Sequence, residues 1–149
     1  MDLSNAPVEE SVMIALLPTT TEWCRIGLPH LTLVYGGLKK DLKPTAFNEL
    51  AKDAAMLAML TNSVSLRVID KEIFGKDLDK VDVLRFQATT ELLAMRRSVE
   101  SWNKSDFPFN PHSTIGPVGT VIDIIPISVS FDRIMVAWGE EQLVFWLKR

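Results

Sequence analysis

Residues 29–33 read Pro29-His30-Leu31-Thr32-Leu33, and residues 111–115 read Pro111-His112-Ser113-Thr114-Ile115. The chain has 2 histidines in 149 residues, and both stand in this one setting: a proline before, a threonine two places on, and a branched aliphatic at the third place. Nothing else in the sequence repeats so clearly. Both copies have strand-like surroundings, Leu31 to Tyr35 running into a Gly36-Gly37 turn and Ser113 to Ile115 running into Gly116-Pro117. Residues two apart in a strand share a face. His30 is therefore expected beside Thr32, and His112 beside Thr114, with Leu31, Leu33 and Ile115 turned to the core.

Working outward, two segments have helical period. After Pro44, a tolerated first-turn residue, Phe47, Leu50, Ala51, Ala54 and Ala58 line one face. Further on, Thr90 suits an N-cap with Glu91 near the positive helix end, and Leu92, Met95, Val99 and Trp102 form an apolar stripe. Val64, Leu66 and Val68 alternate with polar partners, as do Ile127, Val129 and Phe131, then Ile134, Val136 and Trp138, which is the period of half-buried strands. Val12 to Leu17, Val81 to Phe86 and Leu143 to Leu147 are denser apolar runs that suit central strands. Gly139-Glu140 reads as a hairpin turn. Strands and two helices interleave without a regular βαβ rhythm, so the expected class is α+β with mostly antiparallel sheet.

The bulk numbers bound the rest. With 149 residues, 47% of them hydrophobic, the chain suffices for one core, and a single domain spanning 1–149 is expected, its pattern running from about residue 8 to the end. Cys24 has no second cysteine to pair with, which removes disulfide frameworks and cysteine zinc sites and suits a reducing compartment. Met1 to Glu10 is polar and acidic, unlike a secretory signal, and the longest strongly apolar stretch, Ala54 to Leu60, is far short of the roughly 20 residues a membrane span needs. A cytoplasmic location is expected. A net charge of −3 lacks the basic footprint of proteins that track duplexes, so a small nucleotide or a strand end is the fitting partner, with neither duplex DNA nor membrane.

Two imidazoles suffice for phosphodiester chemistry. The side chain titrates near neutrality, so one ring can take a proton from an attacking water or ribose hydroxyl while the other gives one to the leaving oxygen. Thr32 and Thr114 would hold the non-bridging oxygens as charge develops. A zinc site would want three or four ligands, and no His-x-x-x-His, His-x-x-Glu or acidic cluster flanks either histidine. Neither a metal nor another cofactor is expected. Trp23 and Tyr35 around the first motif, and Trp102, Phe107 and Phe109 before the second, are candidates for base stacking. Arg25, five residues before His30, could meet a phosphate.

The phrases HLTLVYGG and PHSTIG resemble the two signature strands of the 2H phosphoesterase superfamily, whose members carry two His-x-Thr/Ser-aliphatic motifs. The opening strand VMIALLP, the helix after the first motif and the separation of the histidines extend the resemblance over most of the chain. That family includes 2′-5′ RNA ligase-like proteins, 2′,3′-cyclic nucleotide phosphodiesterases, the U6 RNA-processing exonuclease and viral enzymes that destroy 2′-5′ oligoadenylates or cyclic oligonucleotide signals. The resemblance implies a bilobal fold, with two pseudo-symmetric, mostly antiparallel sheets flanked by helices around a central cleft. It maps the catalytic pair onto His30 and His112 and the phosphate-holding hydroxyls onto Thr32 and Thr114. The Gly36-Gly37 pair and the Gly116-Pro117-Val118-Gly119 stretch depart from the usual pattern at the cleft rim.

The expected activity is metal-independent cleavage of a cyclic phosphate or a phosphodiester linkage in a small or single-stranded nucleotide. The short acidic chain resembles small phage-borne members, so degradation of a host cyclic-oligonucleotide defence signal, in the host cytoplasm, is its narrower form. The alternatives are a module that sequesters nucleotides without turnover and a 2′-5′ RNA ligase running the chemistry backwards.

Overall fold

A computed structural model of the chain describes residues 10–120, 122 and 124–149. The polar N-terminal stretch read above falls almost entirely outside them. Among the described residues seven strands and two α-helices follow the order β1 (Ser11–Pro18), β2 (Leu31–Leu38), α1 (Ala46–Leu60), β3 (Val64–Phe74), β4 (Val81–Phe86), α2 (Thr90–Val99), β5 (His112–Pro117), β6 (Ser128–Trp138) and β7 (Glu141–Trp146). The class is α+β, as expected.

Every strand pair is antiparallel, in the spatial order β2-β1-β6-β3-β4-β5, with β7 also on β6. Two long strands tie the halves together. β6 pairs through Ser128–Phe131 with β3 and through Arg133–Trp138 with β7, while β3 leaves β6 after Arg67 and continues against β4. One motif lies at each end of this order, before β2 and in β5.

All eight residues of β1 are buried, because both of its faces are covered. Val12, Ile14 and Leu16 join the main core with Leu50, Ala54, Leu92, Met95, Phe86 and Phe131, while Met13, Ala15 and Leu17 meet Met135 and Ala137 on the opposite face. The helices seal the main core, α1 against β6 and β7 and α2 against β2. Phe47 of α1 meets Trp138 edge-on at 5.3 Å, and Phe86 meets Phe131 likewise at 5.5 Å, arrangements that suit the aromatic quadrupole. Deleting a ring as buried as Phe131 (0% exposed) should cost about 3–5 kcal/mol.

Four local expectations are corrected. The cap of α2 is Thr89, whose hydroxyl accepts the Leu92 N–H at 3.1 Å, and Thr90 is the first helical residue. Gly36-Gly37 lies inside β2, where the register slips, instead of forming a turn: a Cβ on Gly36 would stand 3.0 Å from Val12 Cγ1, and Gly37 has φ of 87°. The two stretches read as separate strands are one strand, β6. Phe131 pairs with Pro18 and Arg133 with Leu17, so Asp132 is an extra residue that shifts the alternation and keeps Val129, Phe131, Ile134, Val136 and Trp138 on one side. Ile127 precedes this strand and is 82% exposed. β7 is an edge strand, with Trp146 63% exposed, because its second edge has no neighbour among the described residues. The Gly139-Glu140 hairpin stands as read, Gly139 taking φ of 62°. No helix among the described residues is long and apolar enough to cross a membrane.

Candidate active site

The repeated proline has a local purpose. In each motif the ring Nδ1 meets the backbone carbonyl two residues back, His30 with Leu28 O at 2.9 Å and His112 with Asn110 O at 2.7 Å. A carbonyl only accepts, so each Nδ1 carries a hydrogen and donates it. The intervening Pro29 and Pro111 are buried, and their fixed φ turns the preceding carbonyl toward the ring. Both imidazoles are thereby set in one tautomer, with Nε2 outside that bond.

Strand alternation then fixes the faces. Leu31, Leu33 and Ile115 enter the main core, as expected. Thr32 sits on the opposite face, paired in register with Ala15, and its hydroxyl donates to the Met13 sulfur at 3.8 Å. Thr114 is half-buried opposite Val83, and its hydroxyl has no hydrogen-bond partner among the described residues. His112 and Thr114, two places apart in β5, share one face by alternation.

A side-chain-to-backbone bond joins the two motifs. Ser113 is 1% exposed, and its hydroxyl donates to the His30 carbonyl at 2.6 Å. A few residues earlier, the Arg25 N–H donates to Ile115 O at 2.8 Å, and the Cys24 thiol reaches Thr114 O at 3.5 Å. The segment entering β2 is therefore fastened to β5. Burial pushes His112 below the ordinary imidazole range, the Asn110 carbonyl opposes this, and the nearby charge of His30 lowers it further. Part of the burial comes from Phe74, whose ring stands edge-on to His112 at 4.6 Å.

The flanking residues divide. Tyr35 lies on the site face: Leu33 is an extra residue in the register between β1 and β2, so Tyr35 pairs with Met13 and shares a 3.1 Å hydrogen bond with Ser11 Oγ. Arg25 is exposed, with one guanidinium N–H on the Glu22 carbonyl at 3.2 Å. Trp23 does not offer a stacking surface. It is 3% exposed in the main core, and its indole N–H is satisfied by Thr20 O at 3.0 Å. Phe109 packs on the core with the Arg96 guanidinium 4.8 Å from its ring centre. Trp102 donates to Asp53 of α1 at 2.8 Å, and Phe107 is 55% exposed.

Sequence reasoning missed Phe74 and Arg85. Arg85 faces His112 across β4 and β5 and faces Asp70 across β3 and β4, and it grips Asp70 with two bonds of 2.8 and 2.7 Å. That grip holds the Asp70 carboxyl below the usual carboxylate range. No three His, Cys, Asp or Glu side chains among the described residues converge as metal ligands do. A groove of about 700 Å³ lies elsewhere, between α1 and α2, and its lining from Asp53 to Ser98 contains neither histidine.

No protein-family model matches the chain, and no curated protein matches its sequence. Solved structures do match its fold. TT0787 of Thermus thermophilus aligns with a TM-score of 0.65 at 15% identity, over 93% of this chain and 98% of that one. Usb1 of Kluyveromyces marxianus aligns at 0.60 and 9% identity, over 95% and 100%. LigT of E. coli, solved with 3′-AMP, aligns at 0.53 and 19% identity, over 94% and 96%. At such identities the likeness establishes the fold, which is the one that the two histidine phrases lead a reader to expect.

Proposed function

We propose that the chain is a 2H phosphoesterase: a metal-independent phosphodiesterase that cleaves a cyclic phosphate or a phosphodiester linkage in a small or single-stranded nucleotide. The observation that carries this reading is the matched pair of Nδ1-to-carbonyl bonds, which leaves both Nε2 atoms available in two motifs that the Ser113 hydroxyl fastens together. Structural histidines have no need of the same tautomer, the same proline and the same neighbouring hydroxyl twice over.

In this reading His112, held neutral by burial and by the charge of His30, is the base. Its Nε2 takes a proton from the attacking oxygen, of water or of a ribose hydroxyl, as that oxygen bonds to phosphorus. The bond from phosphorus to the leaving ribose oxygen breaks, and protonated His30 delivers its Nε2 proton there. Thr32 and Thr114 donate to the non-bridging oxygens, and Tyr35 borders the same face. The fold neighbour solved with 3′-AMP supports a nucleotide as the ligand class. The narrower form of the proposal, carried by the resemblance alone, is a phage enzyme that removes a host cyclic-oligonucleotide signal.

The test is to incubate the protein with nucleoside 2′,3′-cyclic phosphates and with cyclic di- and trinucleotides in excess EDTA, and to resolve the products. New phosphomonoester or cyclic-phosphate ends are expected. Complete loss of cleavage in EDTA would overturn the metal-free mechanism. Tight binding with no product, unchanged in His30→Ala, would favour sequestration instead.

A further inference from the structure

The two motifs supply imidazoles and hydroxyls but no permanent cation, although phosphoryl transfer gathers negative charge on oxygens that fixed positive groups stabilise. Arg25, Arg133 and Arg85 stand in the segments around the motif strands, while Arg96 is taken up by Glu100 and the Phe109 ring. Arg25 is exposed and turns to the Glu22 carbonyl. Arg133 is spent internally, on Asp132 at 2.9 Å, on Pro18 O at 2.6 Å, and over the Trp146 ring at 5.5 Å. Arg85 differs from both.

Its place follows from the register. Phe86 N–H donates to Pro111 O, so Phe86 and Pro111 form a hydrogen-bonded position, and the next pair, Arg85 and His112, is a non-hydrogen-bonded one. Such partners stand with Cα atoms about 4.5 Å apart and side chains close on one face. Asp70, the partner on the other side, is on that face too. It holds Nε and one hydrogen of Nη2, so the guanidinium is locked in plane with three of its five N–H groups unused. The Arg85 side chain is 29% exposed, open enough for a ligand to reach it. An exposed ion pair of this kind contributes little to stability, about 0–1 kcal/mol, so folding gives no strong reason for placing it in the row of a catalytic histidine.

Building on the activity proposed above, we infer that Arg85, oriented by Asp70, forms a phosphate-binding subsite beside His112 that anchors the anionic group of the nucleotide. Arg85 is the residue that contacts the ligand. Asp70 is a positioning residue that acts through it.

Binding tests this without requiring turnover. The dissociation constant of 3′-AMP is measured by calorimetry for the wild-type chain, Arg85→Met, Arg85→Lys, Asp70→Asn and the double variant, with thermal unfolding followed in parallel. Loss of a charge-assisted bond should weaken 3′-AMP binding about 10- to 100-fold in Arg85→Met, with partial recovery in Arg85→Lys and little change in melting temperature. Asp70→Asn should weaken binding several-fold, yet add nothing in the Arg85→Met background, because an effect routed through the guanidinium vanishes with it. Wild-type affinity in Arg85→Met, additive losses in the double variant, or no binding of 3′-AMP by the wild-type chain would each overturn the subsite. A wild-type chain that binds 3′-AMP through Arg85 but turns over no nucleotide would keep the subsite and end the proposed activity.

Discussion

Replacing Ser113 by alanine cuts the side-chain bond that joins the two motifs among the described residues. Ser113 is 1% exposed and its hydroxyl donates to the His30 carbonyl at 2.6 Å, so the variant leaves that carbonyl facing a methyl group with little water to replace the donor. An acceptor stranded in this way costs about 1–3 kcal/mol. At roughly 2–4 °C per kcal/mol for a chain of this size, the melting temperature should fall by about 2–12 °C. The larger effect should be catalytic. The bond sets where His30 sits relative to His112, and a misplacement of about 1 Å can cost on the order of 100-fold in rate. Steady-state hydrolysis of a 2′,3′-cyclic nucleotide, measured well below the melting transition, should show kcat reduced about 10- to 100-fold with KM changed little. A variant that melts lower but keeps kcat within twofold of wild type would refute the reasoning, since the bond would then pack the lobes together without aligning the rings.

Other consequences are equally open to measurement. Pro111→Ala frees the turn that brings the Asn110 carbonyl to His112 Nδ1, so kcat should fall about tenfold while stability moves by no more than about 1 kcal/mol, read by kinetics and denaturant unfolding together. Because burial depresses the His112 pKa, the unfolded chain binds a proton at higher pH than the folded one does. Stability should therefore decline as pH falls from about 6.5 toward the folded value, and His112→Gln should flatten that stretch of the stability curve. On the activity side, the acid limb of the pH-rate profile should lie below the ordinary imidazole range. Burial also raises the Cys24 pKa and encloses its thiol, so a thiol reagent should label native protein slowly and label it fast on unfolding.

How much of this could be read in the chain depends on how far each feature reaches along it. The histidine-threonine pairs were legible because alternation with period two is local, and Leu31, Leu33 and Ile115 enter the core as that rule requires. Tyr35 reached the site face for a reason the motif does not contain: the extra residue at Leu33 is set by the register with β1, and plain alternation from His30 would have turned Tyr35 to the core. The same holds at Asp132, where a bulge against β1 made two apparent strands into one. Trp23 shows the converse limit, since nothing near it in sequence distinguishes an indole that closes the core from one that meets a ligand. Phe74 and Arg85 were out of reach because they come to His112 through the pairing of β3, β4 and β5, which brings together residues far apart in the chain. The dense run of β7 gave no sign that it ends a sheet, because an edge is defined by the absence of a neighbour.

The proposed activity requires two imidazoles acting on one phosphorus atom, and its most direct measurement is the rate of 2′,3′-cyclic nucleotide hydrolysis by His30→Ala, His112→Ala and the double variant. Groups that work as one unit should each lose about 10²- to 10⁴-fold when removed singly, with the double variant little slower than either alone. Losses that multiply, or a single variant that retains wild-type turnover, would contradict it.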